Sequence, residues 1–406
     1  MRSPNNKFRP CQGPPDFLLP SSDSPFGEWC GVESEGSFRS ASRRRGLMQR
    51  LRVSSGSFEY DVVVGGGAWK ALRRFPQDRY TSLFVLSERA LWGRWGQAFC
   101  REAGLKKIRR ITVPSGEASK SMKMAEWVIK GLSSLGADRR CLLIAFGGGV
   151  VGDLGGFVAS TYMRGIDCIQ VPTTVVAQVD SAIGGKTGVN VGAMKNLVGT
   201  FYPPRLVLAE PKVLSSLDGR NFRSGFYEVV KHAILVGGPL FDRLEKEMDS
   251  LRADDAESLG PILARAAAVK VDVVSRDERE SDLRRVLNLG HTFGHALEEA
   301  THYHRFLHGE AVGWGILAAT RLAERLGILA VSEGERITRL VRRVGRLPVL
   351  IDLKAERVLR LLPRDKKAVG GRIHWVLPER IGKIKITADV PASQVAAAFR
   401  DVQRGR

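Results

Sequence analysis

The chain has 406 residues, 43% of them hydrophobic, enough to bury a sizeable core in two domains or a little more. Its formal net charge of +20 raises nucleic acid as a partner, but the basic residues are interleaved with acids, as in ERESDLRR and DERE, and no aromatic-and-basic binding module is present. The charge therefore reads as solvated surface plus a positive field for an anionic small molecule, with no nucleic acid and no membrane as partner, since no segment is long and apolar enough to span one.

Five cysteines (Cys11, Cys30, Cys100, Cys141 and Cys168) are widely spaced without a CxxC pair, which fits a reducing cytoplasm and not a disulfide framework or a cysteine–zinc site. Residues 1–47 are rich in Ser, Pro, Gly and Arg, show no periodicity and end in SASRRRGL, so disorder is expected there. No apolar stretch in them suits a secretory signal, and Asp16, Asp23, Glu28, Glu33 and Glu35 count against a transit peptide. Met48, just before the first globular-looking strand, is a candidate start.

From about residue 51 strands alternate with helices. FEYDVVVGGGA is predicted as a strand running into a glycine turn, SLFVLSE as a buried strand and KKIRRITVPSGE as another. MKMAEWVIKGLSSLG is an amphipathic helix ending at Gly136, and CLLIAFGGG and DCIQVPTT are apolar strands that open into turns rich in Gly, Pro or Thr. This alternation implies a parallel sheet covered on both faces, with ligand loops at the C-terminal ends of its strands.

Gly147, Gly149 and Gly152 form GxGxxG directly after CLLIAF, where backbone amides and a helix N-terminus can receive a pyrophosphate; a tight strand-to-helix crossing has the same spacing. Asp167 fits the ribose rule by count alone, a match near chance. The segment QVDSAIGGKTGVN invites a P-loop reading that fails, because Asp180 stands where the first glycine belongs. It leaves a glycine-flanked Lys186, followed by Lys195 and Asn196, residue types that grip a phosphate or an anionic sugar acid.

From about residue 219 the periodicity turns helical, in ESLGPILARAAAVKVDVVS, AVGWGILAATRLAERLG and GERITRLVRRVG, with a strand-like coda, RIHWVLPERIGKIKI. The stretch 284–310 holds five of the seven histidines. His291 and His295 stand one helical turn apart on one face, His308 begins a new apolar run, and Glu228 shares a helical face with Lys231. A carboxylate and two histidines with an open water position suit catalytic zinc. A single helical histidine is more often a satisfied structural residue; the constellation outweighs that reading.

In order, GGGVVGDLGGFVASTYMRG, VPTTVVAQVDSAIGGKTGVN, KNLVGTFYPP, EVVKHAI, LNLGHTFGHALE and LHGEAV resemble the 3-dehydroquinate synthase family across roughly residues 55–385. The resemblance implies an α/β fold: a Rossmann-like NAD-binding domain (51–218) followed by a mostly α-helical metal- and substrate-binding domain (219–406), after a tail of 1–50. It implies a cytoplasmic enzyme of the shikimate pathway, usually a homodimer, that uses NAD and Zn2+ (or Co2+). The reaction would turn 3-deoxy-D-arabino-heptulosonate 7-phosphate into 3-dehydroquinate and phosphate.

Carried over by motif, the metal ligands would be Glu228, His291 and His308, with His295 a catalytic neighbour. Glu117, Lys120, Gly148, Gly149, Asp153, Thr173 and Thr174 would hold NAD, and Asp180, Lys186 and Lys195 fall to both cofactor and substrate. Arg164, Asn196, Lys231, Lys270, Arg284, Asn288, Lys366 and Lys367 would contact substrate. Lys186, Lys231, Arg284 and Asn288 join His295 in the catalytic set.

Two departures stand out: SGFYE where a small residue more often precedes the glutamate, and LSER where many members carry an Asp, so that Glu88 is expected at the adenosine ribose. A sister cyclase such as 2-deoxy-scyllo-inosose synthase and a metal-dependent polyol dehydrogenase remain the alternatives. The second has no need of phosphate-gripping lysines and arginines.

Overall fold

The computed structural model describes residues 48–192, 194–280, 283–362 and 373–405. The expected disorder of 1–47, Cys11 and Cys30, and the Lys366 and Lys367 assignments lie outside these residues. The first half contains β1 (Gln49–Ser54), β2 (Glu59–Val64), β3 (Leu83–Glu88), α1 (Arg89–Ala103), β4 (Arg109–Val113), α2 (Met122–Ser134), β5 (Leu142–Gly147), α3 (Gly149–Thr161), β6 (Asp167–Pro172), β7 (Lys186–Val191), β8 (Met194–Phe201) and β9 (Leu206–Ala209). The second contains α4 (Gly219–Val236), α5 (Gly238–Glu247), α6 (Ala256–Arg276), α7 (His291–Ala300), α8 (His308–Arg325), α9 (Val331–Val344), α10 (Ala355–Leu359), β10 (Trp375–Arg380), β11 (Lys383–Thr387) and α11 (Ala392–Gln403). None of the described helices is long and apolar enough to cross a membrane.

Seven strands form one sheet in the order β1-β2-β9-β6-β5-β3-β4. All neighbours run parallel except β1, which pairs antiparallel with β2 from Gln49↔Val64 to Ser54↔Glu59. The short turn between them leaves no length for the crossover that a parallel pair requires. β1 also corrects the expected tail boundary, since the ordered strand starts at Gln49. The sheet's interior strands are continuous apolar runs, as a sheet covered on both faces demands, and β5 and β9 are buried at every position. Alternate residues serve the two faces: Val85, Ile144 and Phe146 join one core, and Phe84, Leu86 and Ala145 the other.

β4 lies on one side of β3 and β5 on the other, so the strand order reverses at the β3/β5 crevice. In a sheet of this kind that is where ligands bind, beyond the strands' C-terminal ends. α3 packs tightly over this region because it is rich in glycine: a Cβ at Gly155 would come within 2.9 Å of the Ala145 Cβ. β7, in the segment that invited a P-loop reading, and β8 form a separate antiparallel hairpin across α3. Glycine and lysine mask the strand signal there.

The larger core runs without a break from β2 and β9 into α4, α6, α7 and α8. Within it α8 meets α4 and the start of α7 at glycines. Gly309 and Gly313 of α8, one turn apart, face Ser224 and Tyr227 of α4, and Gly315 faces the carbonyl of Gly290 before α7. A Cβ at Gly309 or Gly315 would overlap backbone of the opposing segment. Gly290 itself has φ 79°, which glycine adopts without strain.

Replacing Gly315 by Ala should therefore force α8 away from α7. We expect a loss of about 1–3 kcal/mol in urea unfolding, as for overpacked cores. An unchanged midpoint would show that the contact is not tight.

Candidate active site

The β3/β5 crevice collects the residues read as a nucleotide site. Gly148 caps α3 and Gly149 begins it, and each faces a neighbour that leaves little room for a side chain: Thr174 Cγ2 at 2.9 Å from a Cβ on Gly148, Ser181 Oγ at 3.2 Å from one on Gly149. The first amides of α3 are thus open to a pyrophosphate. Thr173 donates its N–H to Gly147 O at 3.0 Å, and Thr174 Oγ1 accepts from Ala177 N at 3.2 Å, which fixes the neighbouring turn. Lys120 and Asp153 form a buried ion pair on the α3 side, and burial raises the Asp153 carboxyl above its ordinary range. Glu117 Oε1 accepts from Asn190 of β7 at 2.8 Å, joining the hairpin to this loop. Glu88, at the end of β3, takes a hydrogen bond from Ser115 Oγ at 2.6 Å. Asp167 lies at the opposite end of the sheet, bound to Arg205 Nε and Tyr80 Oη at 2.7 Å each; its count-based match to the ribose rule has no spatial counterpart.

Beside the crevice is a set of cations, buried except for Lys186. Asp180, in the π-helical turn Ala177–Ser181, pairs with Lys270 of α6 at 2.5 Å. Burial pushes Asp180 up, but Lys270 and Lys231 overcome it and hold the carboxyl well below its ordinary value. Lys270 is brought down to about 8 by burial against the pull of Asp180, with Arg284, Lys231 and Lys186 adding to the lowering. Arg284 is almost fully buried; its guanidinium donates to Glu278 O at 2.8 Å and Gly184 O at 3.3 Å, while its Nε has no hydrogen-bond partner. Lys186 pairs with Glu280, which also accepts from Asn288 Nδ2 at 3.3 Å.

On the far side of these cations α4, α7 and α8 bring together Glu228, His291 and His308. One ligand atom from each lies within 4.8 Å of the other two. α4 starts firmly because Asp218 accepts from the amides of Arg220 and Asn221, each at 2.9 Å. α8 starts at His308, with Glu310 accepting from Leu307 N at 2.9 Å and gripping Arg220 through both oxygens at 2.7 and 2.8 Å. Glu228 is fully buried, with its Oε2 in an ion pair with Lys231 and its Oε1 turned to the two imidazoles. Its neighbours are Lys231 and the Nε2 atoms of His291 and His308, at 3.6 and 3.4 Å. A buried carboxylate whose Oε1 meets two imidazoles, with one ligand atom of each residue within 4.8 Å of the others, is a donor set that fits a divalent metal. His291 Nδ1 faces Leu289 O at 3.2 Å, which turns Nε2 toward Glu228. Burial disfavours charge on His308, yet its contacts with Glu228 and Glu298 raise it to about 10. His295 stands beside both rings, its centroid 5.4 Å from that of His291 and 6.1 Å from that of His308.

Not every candidate joins this cluster. Arg164 is exposed after α3 at φ 67° and makes no ion pair within the described residues. Asn196 lies on exposed β8, its amide donating to Asn190 Oδ1 at 2.9 Å, while Lys195 reaches Glu298 at 3.3 Å. Three residues went unnoticed in the sequence. Glu298 continues the face of His291 and His295; Glu280 sits among the substrate candidates; His232, one turn beyond Glu228, is buried with both ring nitrogens unpartnered and is lowered to about 3 by burial and Lys231. The heptad spacing from His291 to Glu298 was the available signal.

A parallel α/β sheet with its crevice facing a carboxylate–imidazole triad and a buried cationic pocket defines a sugar-phosphate cyclase. The structure superposes on 2-epi-5-epi-valiolone synthase from Streptomyces hygroscopicus, solved with NAD+ and Zn2+ bound, at TM-score 0.78 and 28% identity, covering 88% of this chain and 100% of that one. It shares the fold of 2-deoxy-scyllo-inosose synthase complexed with carbaglucose-6-phosphate, NAD+ and Co2+, at TM-score 0.78 and 24% identity over 87% of this chain and 99% of that one. Residues 110–224 match the family described as 3-dehydroquinate synthase N-terminal, and 225–368 its C-terminal counterpart. The 3-dehydroquinate synthase of Koribacter versatilis is 42% identical over 364 residues, 88% of this chain and 98% of that protein. The chain belongs to the 3-dehydroquinate synthase family, whose activity is that of a phosphate-eliminating carbon–oxygen lyase.

We propose Glu228, His291 and His308 as the metal ligands. His308→Ala should stay folded but lose stoichiometric metal by elemental analysis, and chelation should abolish turnover of the unaltered enzyme. Full metal content in the variant would sink the assignment.

Proposed function

We propose that the chain converts 3-deoxy-D-arabino-heptulosonate 7-phosphate into 3-dehydroquinate and phosphate with NAD as a recycled cofactor and Zn2+ or Co2+ at the triad, and that the NAD-binding and helical domains divide at residue 218. The observation that carries this reading is the cationic set beside the nucleotide crevice and the triad, in which Lys231, Lys270 and Arg284 are buried and Lys186 stands at the exposed rim. A polyol dehydrogenase has no departing phosphate to hold. Bound NAD supplies reversible hydride acceptance, which acidifies a neighbouring C–H, and the metal supplies polarisation of a substrate hydroxyl.

The rest of the work falls to side chains. The amides of Gly148 and Gly149 and the Lys120–Asp153 pair hold the dinucleotide, with Thr173 and Thr174 shaping the turn beside it. Arg284 already directs two of its nitrogens to backbone oxygens, so its free Nε is left for the substrate's phosphate. Lys270 and Lys186 balance the leaving dianion, which lowers the barrier because their charge is in place beforehand. His295, half-buried beside two proposed ligands, is placed to move a proton at the reacting hydroxyls.

We also propose a homodimer seated on β8. This edge strand exposes Met194, Leu197, Val198 and Phe201, apolar residues on a row of backbone groups ready to pair with a second copy. Val198→Asp should shift sedimentation from dimer to monomer; an unchanged dimer would place the interface elsewhere.

If oxidation serves only to permit elimination, the hydride returns before product leaves and NAD is regenerated in each turnover. Phosphate should be released over many turnovers from a small fixed amount of NAD, with no steady rise of NADH absorbance. Arg284→Ala should raise the barrier in kcat/KM by about 2–4 kcal/mol, as on loss of one electrostatic donor. NADH produced in proportion to substrate would mean net oxidation and a dehydrogenase.

A further inference from the structure

His308 is approached by carboxylates from both sides. Its Nε2 faces Glu228 Oε1 and its Nδ1 faces Glu298 Oε2, each at 3.4 Å. Glu298 is buried on the α7 face that begins with His291 and His295, following them by seven and three residues. Its second oxygen, Oε1, lies 3.3 Å from Lys195 Nζ, and that ammonium sits 4.3 Å from the centre of the Tyr303 ring. One carboxylate thus touches a proposed metal ligand of the helical half and a hairpin lysine of the sheet half.

We propose that Glu298 is a positioning residue that fixes the tautomer and orientation of His308 for the metal and ties the β7–β8 hairpin to that ligand. The inference rests on the reading of Glu228, His291 and His308 as ligands. An Nδ1–H donating to Glu298 leaves the Nε2 lone pair directed at the site, and a carboxylate acceptor makes the imidazole a better donor to a cation than a neutral acceptor does. The two histidines are therefore held differently: His291 by the Leu289 carbonyl at 3.2 Å, His308 by an anion. Glu298 is not left as an unpaired buried charge, because Lys195 compensates it from the other side. A carboxylate serving only to hold Lys195 would not need to meet His308, and one serving only to start a helix would not sit near the end of α7.

The test is metal affinity of the full chain, stripped of metal and titrated with Zn2+ against a competing chelator, alongside the visible spectrum of the Co2+-loaded form. Glu298→Gln keeps the shape and an acceptor but removes the charge; affinity should fall about 10–100-fold. Glu298→Ala should bind at least as weakly, and both cobalt spectra should shift from that of the unaltered protein. If the Ala variant does not fold, the Gln variant decides. Unaltered affinity and spectrum in a folded variant would overturn the proposal. So would two ions per unaltered chain falling to one in Glu298→Gln, because the carboxylate would then be a ligand of a second ion at His295, Glu298 and His308. Undiminished metal in His291→Ala would instead remove the ligand reading on which the inference stands, a result distinct from either.

Discussion

The site exists because three helices come closer than side chains ordinarily permit. Glu228 is far along the chain from His291 and His308, and each of the three occupies a position that is useful only if α4, α7 and α8 nearly touch. Glycines 309 and 313 give α8 its approach to α4, and the Gly290–Gly315 contact gives it its approach to α7. The geometry at these three side chains is then a by-product of backbone contact, which varies less than contact through flexible side chains.

Charge is arranged around that geometry in layers. Glu228 and Glu298 are held ionised by Lys231 on one side, Lys195 on the other and the histidines between them. A few residues away positive charge predominates, with Lys186, Lys231, Lys270 and Arg284 gathered about Asp180. Burial holds Lys270 down, so it gains most from a bound anion. A substrate carrying hydroxyls at one end and a phosphate at the other meets both.

What the sequence revealed depended on how local the signal was. The pairing of His291 with His295 follows from helical repeat alone, and His308 falls at a helix start because a polar run precedes an apolar one. The buried strands β3, β5 and β6 were plain from unbroken apolar runs, and β10 with β11 appears where a strand-like coda was expected. β1 was missed because QRLRVS alternates charge with apolar residues at a sheet edge, and its direction depends on a partner. Glu298 was missed because an acid on a helix is ordinary until the ring opposite is known. Counting residues failed at Asp167, since distance along the chain does not say which end of a sheet a residue occupies. Arg164 matched by motif and yet stands apart from the cluster within a single chain.

The position of β9 carries a consequence for synthesis. It lies between β2 and β6, although every other strand of the sheet is made before it. On the ribosome, Val64 emerges long before Leu206, and at ordinary elongation rates the wait is roughly 10–30 s. During it β2 and β6 each present an open edge of apolar strand, with only the charged β1 to shield one side of β2. The nascent chain therefore passes through a stage in which its two half-sheets are most easily joined to the wrong strand, and a holding chaperone would find its best substrate in chains arrested before residue 206.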